Sequence, residues 1–160
     1  MPKAGWREYT IAIFLLLVGL TYLVLQFISL SRGDNSTIKA DSEVIHINRY
    51  SLLNELRTCV TIAGCVGGGL LLMRFKKSGW ILSLSMILLF TAIAIGATVS
   101  LFTMGVNDAS TYLALTGSAL MLGLLGLHLS LHRRFVLKKN DWIRVILLCT
   151  ALGLFYFLLQ

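Results

Sequence analysis

The sequence predicts an all-α, polytopic integral membrane helix bundle of about five transmembrane helices. Of its 160 residues, 57% are hydrophobic and the mean hydropathy is +0.83, more apolar surface than one soluble core of this size encloses. Uncharged stretches approach the length of about 20 residues that crosses the hydrocarbon of a bilayer. The single proline is Pro2, so no later proline interrupts the helical hydrogen bonding that lipid demands. We predict one membrane domain, residues 1–160, with helices at about 10–30, 53–74, 79–102, 110–131 and 142–159.

The first predicted helix, residues 10–30, resembles a secretory signal because Lys3 and Arg7 precede it. Its apolar run of about 20 residues is longer than the 7 to 15 residues of a signal peptide. We therefore expect a retained membrane anchor.

The longest hydrophilic stretch, residues 31–52, separates the first two predicted helices. It opens with the turn-forming residues 31–36, and Val44 and Ile45 predict a short extended piece. Ser51 is a predicted cap for the second helix. The hydrophilic segment as far as Arg57, about 25 residues, can cover the outer mouth of a bundle but cannot build a separate domain.

Charges on the connections predict the orientation. With the N-terminus inside and the C-terminus outside, the inner pieces hold ten basic and two acidic residues, a net charge of +8, while the outer pieces hold four basic and five acidic residues. This distribution is the positive-inside bias of membrane proteins. The excess of basic residues on the inner pieces is then explained by contact with anionic lipid headgroups at the cytoplasmic face. No nucleic acid partner is expected.

A repeated K-x-x-W pattern marks the inner ends of the odd-numbered helices. It occurs at Lys3 and Trp6, at Lys77 and Trp80, and at Lys139 and Trp142. Helices 2 and 3 and helices 4 and 5 are then candidate copies of one hairpin. The alternative is that any basic loop with an interfacial tryptophan has this appearance.

Small residues at a spacing of four are the clearest candidate contacts. Lipid gives helices no hydrophobic reason to associate, so close backbone approach over small side chains provides the contact. These faces either pack the chain against itself or contact another protein or a second copy. They comprise Gly64 and Gly68 on helix 2, Ala92, Gly96 and Ser100 on helix 3, and Ala119 and Gly123 on helix 4.

Two charges, Glu55 and Arg57, lie at the outer start of helix 2. Charges near the hydrocarbon are costly unless they reach water or a partner. They are expected to face the outer interface or, alternatively, to form an ion pair or a partner contact.

Catalytic and metal chemistry is not predicted. His128 and His132 are four residues apart and so share a face of helix 4 near its inner end, but Arg133 and Arg134 follow directly and repel a cation. We expect no catalytic residue, no metal and no cofactor. The central parts of the predicted helices contain no Asp, Glu, Lys or Arg, which proton-driven pumps and many intramembrane enzymes need.

The leading functional hypothesis is a non-enzymatic accessory or scaffold subunit of a larger protein complex in the bacterial cytoplasmic membrane, with other membrane subunits as partners. The alternative is a small oligomeric transporter or channel for a neutral or lipidic substrate, with helices 2 and 4 lining its path. An enzyme acting on lipid through His128 or His132 is a third hypothesis.

Overall fold

The computed structural model describes residues 5–32, 37–40, 43–46, 52–105 and 109–157. These residues form five helices and one two-stranded antiparallel sheet. The helices are α1 (Trp6–Arg32), α2 (Leu52–Met73), α3 (Lys77–Thr103), α4 (Ala109–Leu129) and α5 (Lys139–Phe157).

Four of these helices are long and apolar enough to cross a membrane: Trp6–Ile28, Leu56–Met73, Lys77–Thr103 and Ala109–Leu129. The helical, membrane-spanning character predicted from hydropathy is therefore confirmed. The described part of α5 does not meet this criterion of length and hydropathy. Its 19 residues begin with the charged Lys139, Asp141 and Arg144.

Side-chain caps extend two helices beyond their predicted starts. The Glu8 carboxylate accepts a hydrogen bond from the Gly5 backbone N–H at 2.9 Å, so α1 begins at Trp6. The Asp141 carboxylate accepts an equivalent hydrogen bond from the Lys138 backbone N–H at 2.9 Å, so α5 begins at Lys139. In both cases an acid in the first turn satisfies an N–H that the helix leaves unpaired.

The centre of the bundle is α3, which packs against α2, α4 and α5. α1 lies along α2 and touches α4, whereas α4 and α5 hardly contact each other. The predicted second hairpin of helices 4 and 5 is therefore not a packed pair, because both helices use α3 as their neighbour. Only α2 and α3 form a closely packed hairpin of the predicted kind.

The hydrophobic core lies toward the end of the bundle where α1 begins. Ile11 and Leu15 of α1 are buried there with Leu72 of α2 and with Trp80 and Leu84 of α3. The opposite halves of α3 and α4 are far more exposed, and their buried positions there are mainly hydroxyl residues such as Thr98 and Ser118. Packing is thus concentrated at one end.

The sheet falls within the predicted outer segment. β1 (Thr37–Ala40) pairs antiparallel with β2 (Glu43–His46), with Thr37 opposite His46. The extended piece expected around Val44 is therefore one strand of a hairpin. Ser51, the predicted cap of helix 2, lies outside the described residues.

Helix 4 ends earlier than predicted. α4 stops at Leu129, and residues 130–136 form turns in which the Leu131 N–H bonds to the His128 carbonyl at 3.0 Å. Leu131 and Phe135 of these turns are buried in the core. The apolar pattern that suggested two more helical residues instead reflects a packed turn.

Candidate functional site

The basic end of the bundle is formed by the start of α1, the α2–α3 turn (residues 74–76) and the α4–α5 connection (residues 130–138). Contacts between these three pieces hold it together. Its described charges are nine basic and two acidic, namely Arg7, Arg74, Lys76, Lys77, Arg133, Arg134, Lys138, Lys139 and Arg144 against Glu8 and Asp141. The described residues among those predicted for the inner face therefore gather at one end of the molecule.

An ion pair ties α1 to the α4–α5 connection. Glu8, which has no exposed surface, accepts a hydrogen bond from the Arg134 guanidinium at 2.5 Å. The Arg134 side chain is 45% exposed and also lies over the Phe75 ring, 5.6 Å from its centroid. The carboxylate therefore depends on Arg134 and Gly5, while the guanidinium keeps access to water.

Aromatic stacking joins the α2–α3 turn to the same connection. The Phe75 and Phe135 rings stack with centroids 4.4 Å apart. Phe75 and Val136 have positive φ angles of 54° and 45°, a backbone region that is costly for side chains other than glycine. The Lys77 ammonium donates to the Val136 carbonyl at 3.0 Å, so a side chain from α3 holds one of these strained positions.

His128 is enclosed between α3 and α4. Its ring stacks on Trp80 with centroids 5.3 Å apart, and its Nε2 lies 3.2 Å from the Trp80 carbonyl and 3.3 Å from the Ser83 hydroxyl. His132 is exposed in the turn beyond α4. The two imidazoles therefore do not share a surface, and His128 is inaccessible to a lipid headgroup.

The described residues contain no group of three or more His, Cys, Asp or Glu side chains placed to hold a metal ion. The thiols of Cys59, Cys65 and Cys149 are all unpaired, with only Cys65 buried.

The candidate glycines of α2 face the chain's own α3. A Cβ on Gly64 would lie 2.6 Å from the sulfur of Met86, and a Cβ on Gly68 would lie 3.2 Å from the backbone nitrogen of Ser83. An analogous approach occurs at Gly79, where a Cβ would lie 2.3 Å from the Leu71 carbonyl carbon. These positions allow the α2 and α3 backbones to approach closely.

The small residues of α3 and α4 face away from the chain. Ala92, Gly96 and Ser100 are exposed on α3, and Ala119 and Gly123 are exposed on α4. A Cβ placed on Gly96 or Gly123 would meet no other heavy atom of the described chain within 4 Å. The small-residue positions thus divide into an occupied set on α2 and an open set of exposed positions, three on α3 and two on α4.

At the start of α2, the side chain of Glu55 lies outside the described side chains. The Arg57 carbonyl accepts hydrogen bonds from the Thr61 hydroxyl at 2.9 Å and from the Tyr156 hydroxyl at 3.0 Å. Tyr156 also contacts the Thr61 hydroxyl. These bonds fix the end of α5 to α2.

Between α5 and the α2–α3 hairpin lies an apolar pocket of about 290 Å³. We call it the α5 pocket. It is lined by Val60, Ala63 and Gly64 of α2, Leu82 and Met86 of α3, and Leu148 and Leu152 of α5.

Sequence reasoning missed the Glu8–Arg134 pair and the α5 pocket. The first had a local clue, because Gly5 and Glu8 are spaced as the cap and third residue of a helix. Its partner Arg134 is 126 residues away, and no spacing rule connects them. The pocket arises from three helices whose lining residues resemble every other apolar position.

The fold and its surfaces define a membrane-integral helical protein. No protein-family model, curated protein or solved structure matches the chain.

Proposed function

We propose that the protein is a non-enzymatic accessory or scaffold subunit of a larger assembly in the bacterial cytoplasmic membrane. The observation that carries the proposal is the exposure of the small residues of α3 and of α4, where a Cβ on Gly96 or Gly123 would meet open space. In lipid, helix association depends on backbones that approach over small residues. The α2 glycines make this contact within the chain, and the exposed small residues of α3 and of α4 each offer the same contact to a partner helix.

The placement of the α2 glycines favours a subunit over a transporter. Gly64 packs against Met86 and Gly68 against the Ser83 backbone. A path lined by the glycines of α2 needs these positions to be open. Solute flux into proteoliposomes of the purified chain would support the transporter instead.

The proposed orientation places the basic end in the cytoplasm and the C-terminus outside, with α5 as a fifth span. Its support is the net positive charge of the basic end and the packing of α5 against α3. A C-terminal alkaline phosphatase fusion is expected to be active and a C-terminal green fluorescent protein fusion dark. The reverse result would remove α5 from the spanning set.

Sidedness has a separate test at the basic end. Single cysteines from Lys76→Cys and Lys138→Cys, in a chain without its native cysteines, should resist impermeant reagents added outside intact cells. Labelling at both positions would reverse the orientation.

Partner binding is tested by affinity purification from native membranes in mild detergent, followed by mass spectrometry. Gly96→Leu and Gly123→Leu should lose the partner that the unaltered chain retains. Gly153→Leu is the matched control, since its Cβ also meets open space but lies on α5. A lone monomer with nothing co-purifying, or equal losses in all three variants, would overturn the proposal.

A further inference from the structure

The α5 pocket has the chemistry of a hydrocarbon site. All seven lining residues are apolar or glycine, and the pocket volume is about 290 Å³. A water molecule takes about 30 Å³ in the liquid and a methylene group is of similar size, so the pocket has room for roughly ten methylenes. A pocket of this volume and lining suits a slender hydrocarbon chain.

On α5, Arg144 lies one turn nearer the basic end than the pocket residue Leu148. Arg144, Leu148 and Leu152 are spaced by four residues and so follow one face of the helix. The rise of the helix puts Arg144 about 6 Å from Leu148 and about 12 Å from Leu152, toward the basic end. That span fits within half of a hydrocarbon core about 30 Å thick.

Arg144 is available to an anion. Its side chain is 70% exposed, and its guanidinium lies 3.8 Å from Asp141, a loose contact within one turn of α5. Ser78, one turn below the pocket residue Leu82 on α3, is also exposed. The basic end around them carries nine basic and two acidic described residues, which attracts anionic headgroups.

We propose that the α5 pocket binds one acyl chain of an anionic phospholipid whose phosphate lies at Arg144. The chain enters between α5 and the α2–α3 hairpin from the headgroup level at the basic end. Ala63 and Gly64 line the pocket on α2, and Met86, which packs against Gly64, lines it on α3. The site goes beyond the proposed subunit function, because it needs no partner protein.

The proposal predicts selective quenching of tryptophan fluorescence by brominated lipid chains. The Trp80 and Trp142 rings are 5.4 Å apart at the basic end; Trp80 lies two residues before the pocket residue Leu82, and Trp142 lies six residues before Leu148. The full chain carrying Trp6→Phe, which removes an exposed tryptophan, is placed in phosphatidylcholine vesicles. A minor fraction of brominated-chain phosphatidylglycerol should then quench more strongly than the same fraction of brominated-chain phosphatidylcholine.

Two variants separate the chain site from the headgroup site. Ala63→Phe fills the pocket and should abolish the phosphatidylglycerol preference. Arg144→Gln should weaken it about fivefold, the effect of about 1 kcal/mol for one basic residue near an anionic lipid. Ala97→Phe and Arg133→Gln, an exposed alanine on α3 and an exposed arginine outside the pocket, are the matched controls and should keep the preference.

Four results would overturn the proposal. Three concern quenching: equal quenching by both lipids, an unchanged phosphatidylglycerol preference in Ala63→Phe, and an equal loss of that preference in Arg133→Gln and Arg144→Gln. The fourth is a smaller oligomer in Ala63→Phe, which would make the pocket an interface between copies of the chain. If circular dichroism shows that Ala63→Phe loses helix, the smaller Ala63→Leu takes its place. Retention of phosphatidylglycerol in native mass spectrometry by the unaltered chain, and not by the filled variant, would support the site independently.

Discussion

The Glu8–Arg134 pair predicts an unequal response to the loss of its two members. Glu8 has no exposed surface, whereas the Arg134 side chain is 45% exposed. Removal of the arginine leaves a buried carboxylate without its cation, which costs about 3 to 5 kcal/mol in a desolvated pair. Because water reaches this site from the Arg134 side, we expect about 3 kcal/mol for Arg134→Met, the lower end of that range.

Glu8→Gln is expected to cost less. The glutamine keeps an oxygen for the Gly5 N–H, and the partly exposed guanidinium regains water. The loss is then that of one hydrogen bond to a charged group, about 1.5 kcal/mol. In the double variant no buried charge remains, so Glu8→Gln should raise stability by about 1 kcal/mol when Arg134 is already methionine.

The free energy of unfolding is measured by titration with sodium dodecyl sulfate in mixed micelles, with the fluorescence of Trp80 and Trp142 as the probe. Arg133→Met is the matched control, since Arg133 forms no ion pair with any described residue, and it should change stability by less than about 0.5 kcal/mol. If Glu8→Gln costs as much as Arg134→Met, or if the double variant is less stable than Arg134→Met alone, the carboxylate is not desolvated and the reasoning is wrong.

Two further predictions concern contacts between neighbouring helices. Gly79→Ala should lower the free energy of unfolding by about 3 kcal/mol, because its Cβ would lie 2.3 Å from the Leu71 backbone. Gly96→Ala, at a position in open space, should raise the free energy of unfolding by up to about 1 kcal/mol. Similar values for both variants would contradict the close approach of α2 and α3. The Thr98 and Ser118 hydroxyls, 2.9 Å apart between α3 and α4, should couple by about 0.6 kcal/mol in a double-mutant cycle of Thr98→Val and Ser118→Ala. Additive losses would show that the two hydroxyls act separately.

Hydropathy was sufficient to predict the helices because lipid imposes a length and an absence of charge that a sequence displays directly. The bounds of α2 and α3 differ from the prediction by one or two residues at each end. The errors at α1, α4 and α5 have local causes. Glu8 and Asp141 cap helices that begin before their apolar runs, and Leu131 belongs to a buried turn although it continues the apolar pattern of α4.

The arrangement of the helices was less predictable. Two similar loops suggested two similar hairpins, yet α5 packs on α3 and bonds through Tyr156 to α2. The Trp80 and Trp142 rings meet edge to face, so the repeated K-x-x-W pattern marks a contact between two helices, while the third tryptophan, Trp6, is 68% exposed. An identical motif therefore has different structural roles.

The central helix α3 explains why small residues carry more information here than hydrophobicity does. In water, the buried face of a helix is apolar and its exposed face is polar, so the pattern shows which is which. In lipid both faces are apolar, and α3 has buried residues such as Leu84 and exposed residues such as Val99 of the same character. What distinguishes a contact is the space that a side chain leaves. Gly79 uses that space against α2, and Gly96 leaves it open, which is why substitution of Gly96 by leucine tests for a partner without disturbing the packing of the chain itself.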